Sequence, residues 1–227
     1  MTWLTADGVW AALGVGTAVY WGLGWRGVVM LLAFLVSGSL LTRLSTGHGG
    51  RRTARQVLAN GGVAAGAALL GSWPAAAGAL AAAAADTWAT EIGSFSPTPP
   101  RLVTTWARVT RGISGGVTAL GTAGGIAGAL TMASISSALT PRGGMLGACA
   151  LTAAGVVGML TDSGLGATVQ GVYECPGCAA RWERRDAVCH EPVRQVGGWR
   201  WLDNDGVNLA ATLAGAGVGL LGARLAA

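Results

Sequence analysis

The chain has 227 residues, of which 52% are hydrophobic and only 11% charged. A soluble domain carries roughly 25% charged residues, so the composition excludes an ordinary water-soluble globule and argues for an integral membrane protein. The formal net charge of +5 comes from arginine without any lysine. It requires no nucleic acid, because membrane orientation and contact with anionic lipid account for it.

A spanning helix needs about 20 mostly apolar residues, and seven segments approach this: 7–24, 27–43, 57–73, 75–95, 113–138, 144–170 and 204–224. The first runs on without a small-residue cleavage site and reads as a span rather than a leader. Glycine is abundant at 39 residues, and the spacings Gly121/Gly125, Gly124/Gly128 and Gly215/Gly219 fit close helix contact. The expected fold is an all-α integral membrane bundle of about seven transmembrane helices, a single domain over 1–227. Residues 171–203 form a loop inserted between the sixth and seventh helices. Loops after the second, fourth and sixth helices hold Arg43, Arg51, Arg52 and Arg55, then Arg101, Arg108 and Arg111, then Arg181, Arg184, Arg185, Arg194 and Arg200. The other side receives Arg26, Arg142 and Arg224. Cytoplasmic loops concentrate basic residues, which puts the N-terminus and these loops in the cytoplasm and the chain in the cell membrane.

The helix ends on that side carry the polar residues. The third helix begins "RQVLANGGV" with Asn60, and the fourth ends "DTWATEIG" with Asp86 and Glu91. The fifth begins "RGISGGV" with Arg111, Ser114, Gly115 and Gly116, and the sixth ends "TDSGLGATVQ" with Asp162. The seventh begins "WRWLDNDGVN" with Arg200, Asp203, Asn204, Asp205 and Asn208. A carboxylate at mid-bilayer costs on the order of 2.5–3.5 kcal/mol and usually marks a site. One polar chamber open to the cytoplasm is the economical reading. Asp86 and Glu91 lie five apart, roughly 140° around an ideal helix, and do not naturally face one ion. Asp203 and Asp205 also suit helix capping. "GISGG", read as a glycine-rich helix start, offers N–H groups and a positive dipole end to phosphate. The tetrapeptides "NGGV", "SGGV" and "NDGV" hint at repeated helical hairpins around a shared site.

In the 171–203 loop, "YECPGCAARWERRDAVCHEP" supplies Cys175, Cys178, Cys189 and His190, the ligand types of a structural zinc knuckle. The competing reading is free thiols in an interfacial loop. Cys149 reads as packing, and His48 has no evident partner.

The motifs "ADTWATEIG", "GISGGV", "TDSGLGATVQ", "QVLANGGV" and "GWRWLDNDGVN", in this order over residues 27–225, resemble the transmembrane protein 19 family, which includes a phytyl-phosphate kinase. The resemblance implies an enzyme that moves a γ-phosphate from CTP or another nucleoside triphosphate to an isoprenoid monophosphate. The positions it matches are Asp86, Glu91, Ser114, Gly115, Gly116, Asp162, Asn204, Asp205 and Asn208. Such a reaction needs two phosphates aligned and neutralised. The acceptor oxygen is already anionic, so the lack of histidine in the cluster is no obstacle. The expected roles are catalytic for Asp86, Glu91, Asp162 and Asp205, with Mg2+ on Asp86, Asp162, Asp205 and Asp203. Phosphate binding would fall to Asn60, Arg111, Ser114, Gly115, Gly116, Asn204, Asn208 and Arg200. A cation-coupled transporter and a lipid-phosphate cytidylyltransferase are the rival readings.

Overall fold

The computed structural model describes residues 3–46, 51–140, 144–183, 187 and 189–225; His48, Arg142, Arg184 and Arg185 lie outside them. Six helices are present among the described residues. They are α1 (Ala6–Thr46), α2 (Ala54–Leu69), α3 (Trp73–Gly93), α4 (Ala119–Leu139), α5 (Gly144–Thr168) and α6 (Asn204–Leu225).

The first helix is in fact two rods. Gly24 breaks it with φ 65° and ψ −162°, a left-handed geometry that glycine adopts without steric cost. The Thr5 N–H donates to the Arg52 carbonyl at 3.1 Å, while a carbon added at Gly38 would lie 2.8 Å from the Arg52 guanidinium. A continuous helix would separate Thr5 and Gly38 by about 50 Å, so the chain reverses at Gly24. The expected helices 7–24 and 27–43 correspond to these two arms.

At the centre lies α3, whose residues Ala75 to Ala85 are all buried. Its small side chains let three neighbours approach to backbone contact. A carbon on Gly215 would meet the Gly78 carbonyl oxygen at 2.6 Å, and one on Gly219 the Pro74 oxygen at 2.3 Å. Gly121 and Gly125 of α4 similarly meet the Ala89 and Ala85 oxygens at 2.7 and 2.9 Å, and Gly158 of α5 meets Ala82. Close van der Waals packing of this kind holds membrane helices together where lipid offers no hydrophobic contrast. Larger residues (Met30, Phe34, Leu80 and Met132) fill the remaining core.

Outward faces are apolar, with Trp21 84% and Leu70 86% exposed. By length and apolarity, α1, α4, α5 and α6 can cross a membrane. Seven spans are expected; α2 and α3 fall outside this set, and α1 counts once in it although it has two arms. The 16 residues of α2 rise about 24 Å, short of a 30 Å hydrocarbon core. α3 carries two carboxylates, Asp86 and Glu91.

Boundaries move where local chemistry decides them. Thr53 and Gln56 form a capping box, so α2 starts at Ala54, and Gly71 at φ 68° ends it before residue 73. The expected helix 113–138 begins only at Ala119, capped by Thr118, whose hydroxyl accepts from the Gly121 N–H. Before it, Gly112 and Gly115 have φ 86° and 77°. Gly116–Val117 forms strand β2, antiparallel to β1 (Arg101–Leu102). "GISGG" is therefore a turn packed on α5, where a carbon on Gly115 would strike Ala167, and not a helix start. The three repeated tetrapeptides fall in a helix interior, this turn and the start of α6, so they share no common setting. The fold is also not purely helical. Strands β3 (Val172–Glu174), β4 (Arg181–Trp182) and β5 (Arg194–Gly197) make a small antiparallel sheet ordered β4-β3-β5 in the 171–203 loop.

Candidate functional site

One end of the bundle encloses a cavity of about 610 Å³. Its wall is built from the end of α1, residues 51–56, the last two turns of α3, the 111–118 turn, the start of α4, the last turns of α5 and Asn204. Among the residues expected from sequence, Asp86, Glu91, Arg111, Ser114, Gly115, Gly116, Asp162 and Asn204 line it together.

The two helices contribute different carboxylates. Asp86 on α3 and Asp162 on α5 lie close enough to feel each other's charge, and Glu183 adds to the field at Asp162. Asp162 Oδ2 is buried with no hydrogen-bond donor among the described residues. Leaving such an atom bare is costly, and a carboxylate needs a cation or donors when buried. Asp86 and Asp162 therefore suit an oxygen-ligated divalent cation such as Mg2+.

Glu91, one turn further along α3, is held elsewhere. It accepts from Thr42 Oγ1 at 2.6 Å and from the Ser45 hydroxyl, and it attracts Arg52. Arg52 lies over the Phe34 ring at 5.4 Å. Burial pulls its guanidinium below the usual arginine value and Glu91 opposes this, so it stays cationic. The wide angular offset between Asp86 and Glu91 thus serves two separate sub-clusters.

Arg111 donates to the Ser94 carbonyl at 2.8 Å and to the Ser96 carbonyl, fixing the loop after α3 beside the cavity. Ser114 donates to Glu183, which reaches in from the 171–203 loop.

The remaining expected residues stand apart. Asp203 pairs with Arg55 at 2.7 Å and caps α6 through the Gly206 N–H at 3.1 Å. Asp205 lies 3.4 Å from the same Arg55. Both share that one arginine and neither is part of the cavity wall, so the structure does not bring the four expected aspartates together in it. Asn60 donates to its own helix at Gln56, Asn208 is buried within α6 and Arg200 is exposed. Sequence reasoning missed Arg51, Arg52, Gln56, Thr42 and Glu183 as wall residues. The capping box at Thr53 was the available signal that places the first three at a helix start.

The sulfur and imidazole ligands of the 171–203 loop do converge. Cys175, Cys178, Cys189 and His190 bring their donor atoms within 4.8 Å of one another. Backbone amides at Glu191 and His190 hold the Cys175 thiol down at about 6, whereas the neighbouring Cys178 pushes Cys189 up.

Residues 1–216 match the integral membrane protein family DUF92. The chain is 30% identical to Protein PGR of Arabidopsis thaliana over 86% of its own length and 81% of that protein's. It is 28% identical to the uncharacterized membrane protein MJ0933 of Methanocaldococcus jannaschii, over 96% and 85% respectively. No solved structure matches it. The family resemblance read from the motifs is borne out: the chain belongs to the DUF92 family of integral membrane proteins.

Proposed function

We propose that the cavity transfers the γ-phosphate of CTP or another nucleoside triphosphate to an isoprenoid monophosphate of phytyl or geranylgeranyl type. The observation that carries this reading is the placing of Asp86 and Asp162, whose Oδ2 has no hydrogen-bond partner among the described residues, in one cavity that Arg51, Arg52 and Arg111 also line. Two neighbouring carboxylates suit a metal-bridged phosphate, and arginines on the same wall suit its free oxygens. Mg2+ bound by Asp86 and Asp162 would neutralise charge on the phosphates.

The rest is positioning. A phosphate oxygen of the lipid attacks the γ-phosphorus, the bond to the β-phosphate oxygen breaks, and the nucleoside diphosphate leaves. Arg52 and Arg111 hold the anionic groups, and the Ser114–Gly116 turn lines the same wall. Lipid tails reach the cavity between glycine-rich helices. In the same reading the two arms of α1 and α2–α6 make seven crossings. The N-terminus and the cavity then lie on the cytoplasmic side of the cell membrane, and the short α2 is accommodated by local thinning.

The test is transfer of labelled γ-phosphate to phytyl or geranylgeranyl monophosphate by the purified protein with Mg2+. Lipid diphosphate with release of nucleoside diphosphate supports the kinase. Pyrophosphate release marks cytidylyl transfer instead, and ion-driven flux in proteoliposomes without nucleotide consumption marks a transporter.

A further inference from the structure

The cluster in the 171–203 loop carries an inference independent of what the cavity catalyses. Cys178 Sγ lies 3.6 Å from Cys189 Sγ, and Cys189 Sγ lies 3.3 Å from His190 Nδ1. Tetrahedral zinc with Zn–S near 2.3 Å and Zn–N near 2.05 Å places two sulfurs about 3.8 Å apart and a sulfur and nitrogen about 3.5 Å apart. A disulfide would bring the sulfurs to about 2.05 Å. The observed spacings match ligands around one ion and exceed a covalent bond by well over an ångström. Use of Nδ1, the ring nitrogen nearer the backbone, lets adjacent residues Cys189 and His190 serve the same centre.

The local fold supplies a second reason. Cys175 directly follows β3, and the tight turn that begins there, closed by Ala179 N–H to the Cys175 carbonyl at 2.8 Å, carries Cys178. Ala179 takes the left-handed conformation at φ 56°. Cys189 and His190 arrive just before β5. Three strands this short cannot stand on their own burial, and in this sheet only Tyr173 and the adjoining Cys175 are buried. Small units without a core depend on a metal or a covalent staple.

We propose that Cys175, Cys178, Cys189 and His190 bind one structural Zn2+ ion. By holding the β3–β4 hairpin against the start of β5, the ion presents Glu183 to Ser114 at the cavity wall. Glu183 follows β4 directly and belongs to the stretch that the ligands bracket, so its hydrogen bond to Ser114 joins the knuckle to the turn before α4. Closed structural sites use all four positions for protein ligands, which assigns this ion to architecture rather than to chemistry.

The experiment uses the full-length protein purified in detergent under reducing conditions without chelator. Elemental analysis should find about one zinc per chain, and Cys178→Ser and Cys189→Ser should lose it. Cobalt loaded into the wild-type protein after chelation should give a thiolate-to-metal charge-transfer band, a readout that survives if the variants fail to fold. Hydrogen exchange across 172–197 should rise on chelation while α3 and α5 stay protected. Absence of zinc together with absence of the cobalt band overturns the site. So does a Cys178–Cys189 disulfide found by non-reducing alkylation. Unchanged exchange on chelation overturns the stapling of Glu183.

Discussion

Asp162 concentrates the argument at the scale of single residues. Among the described residues its buried Oδ2 has no hydrogen-bond partner, and a second carboxylate lies nearby, an arrangement that suits the proposed cation. Asp162→Asn removes a charge that only the loaded state requires. It should lower phosphate transfer about a hundredfold or more while leaving the thermal midpoint unchanged or higher, since one of two opposed charges is gone. A fall in both activity and midpoint would mean that Asp162 is structural. Glu91 is the contrasting case, because its oxygens are already satisfied by Thr42 and Ser45. Thr42→Val should cost about 1.5–3 kcal/mol of stability, the worth of a hydrogen bond to a charged group. Thermal unfolding in detergent would read this as a lowered midpoint, and an unchanged midpoint would show that the Thr42 bond contributes nothing.

Between elements, contact with α3 sets what each helix tolerates. Gly215 leaves no room for a side chain, with the Gly78 carbonyl oxygen 2.6 Å from an added carbon, whereas Gly217 faces open space. Gly215→Val should destabilise by about 1–3 kcal/mol through overpacking, and Gly217→Val should be close to neutral, a contrast that paired unfolding curves would check. Gly24→Ala meets no neighbour and should cost about 1–2 kcal/mol from the left-handed backbone alone.

Much of this level was legible in the sequence. The small-residue spacings at Gly121/Gly125 and Gly215/Gly219 do mark contact faces, and Asp86 of α3 and Asp162 of α5 line one cavity. The turn at Gly112–Gly116 was not legible, because glycines that start a helix and glycines that take positive φ look alike in sequence. Nor was the diversion of Asp203 and Asp205. Their partner, Arg55, sits 148 residues away from Asp203 along the chain, and only tertiary structure brings it near. Arg52 and Glu183 were hidden for the same reason: each lies in a loop whose polarity alone suggested solvent.

For the whole molecule, the polar ends of α3 and α5 and the loops around them gather at one end of an otherwise apolar bundle. The exposed tryptophans suit anchoring at membrane interfaces. Trp21 and Trp25 flank the reversal at Gly24, and Trp199 and Trp201 stack at 5.3 Å near the opposite end. With the cavity end in the cytoplasm, a single cysteine placed at Thr105 in a background lacking the native exposed cysteines should be labelled by an impermeant reagent only after the inner face is opened. Labelling from outside intact cells would reverse the orientation.

The central claim is that Asp86 and Asp162 hold Mg2+ beneath transferring phosphates. The most direct measurement is labelled γ-phosphate transfer to phytyl or geranylgeranyl monophosphate by the wild-type, Asp86→Asn and Asp162→Asn proteins across a Mg2+ titration. Mg2+-dependent lipid diphosphate is expected from the wild type, with its loss in both variants even at saturating Mg2+. Near-normal turnover in either variant, or no transfer by a folded wild-type protein to any such acceptor, would contradict it.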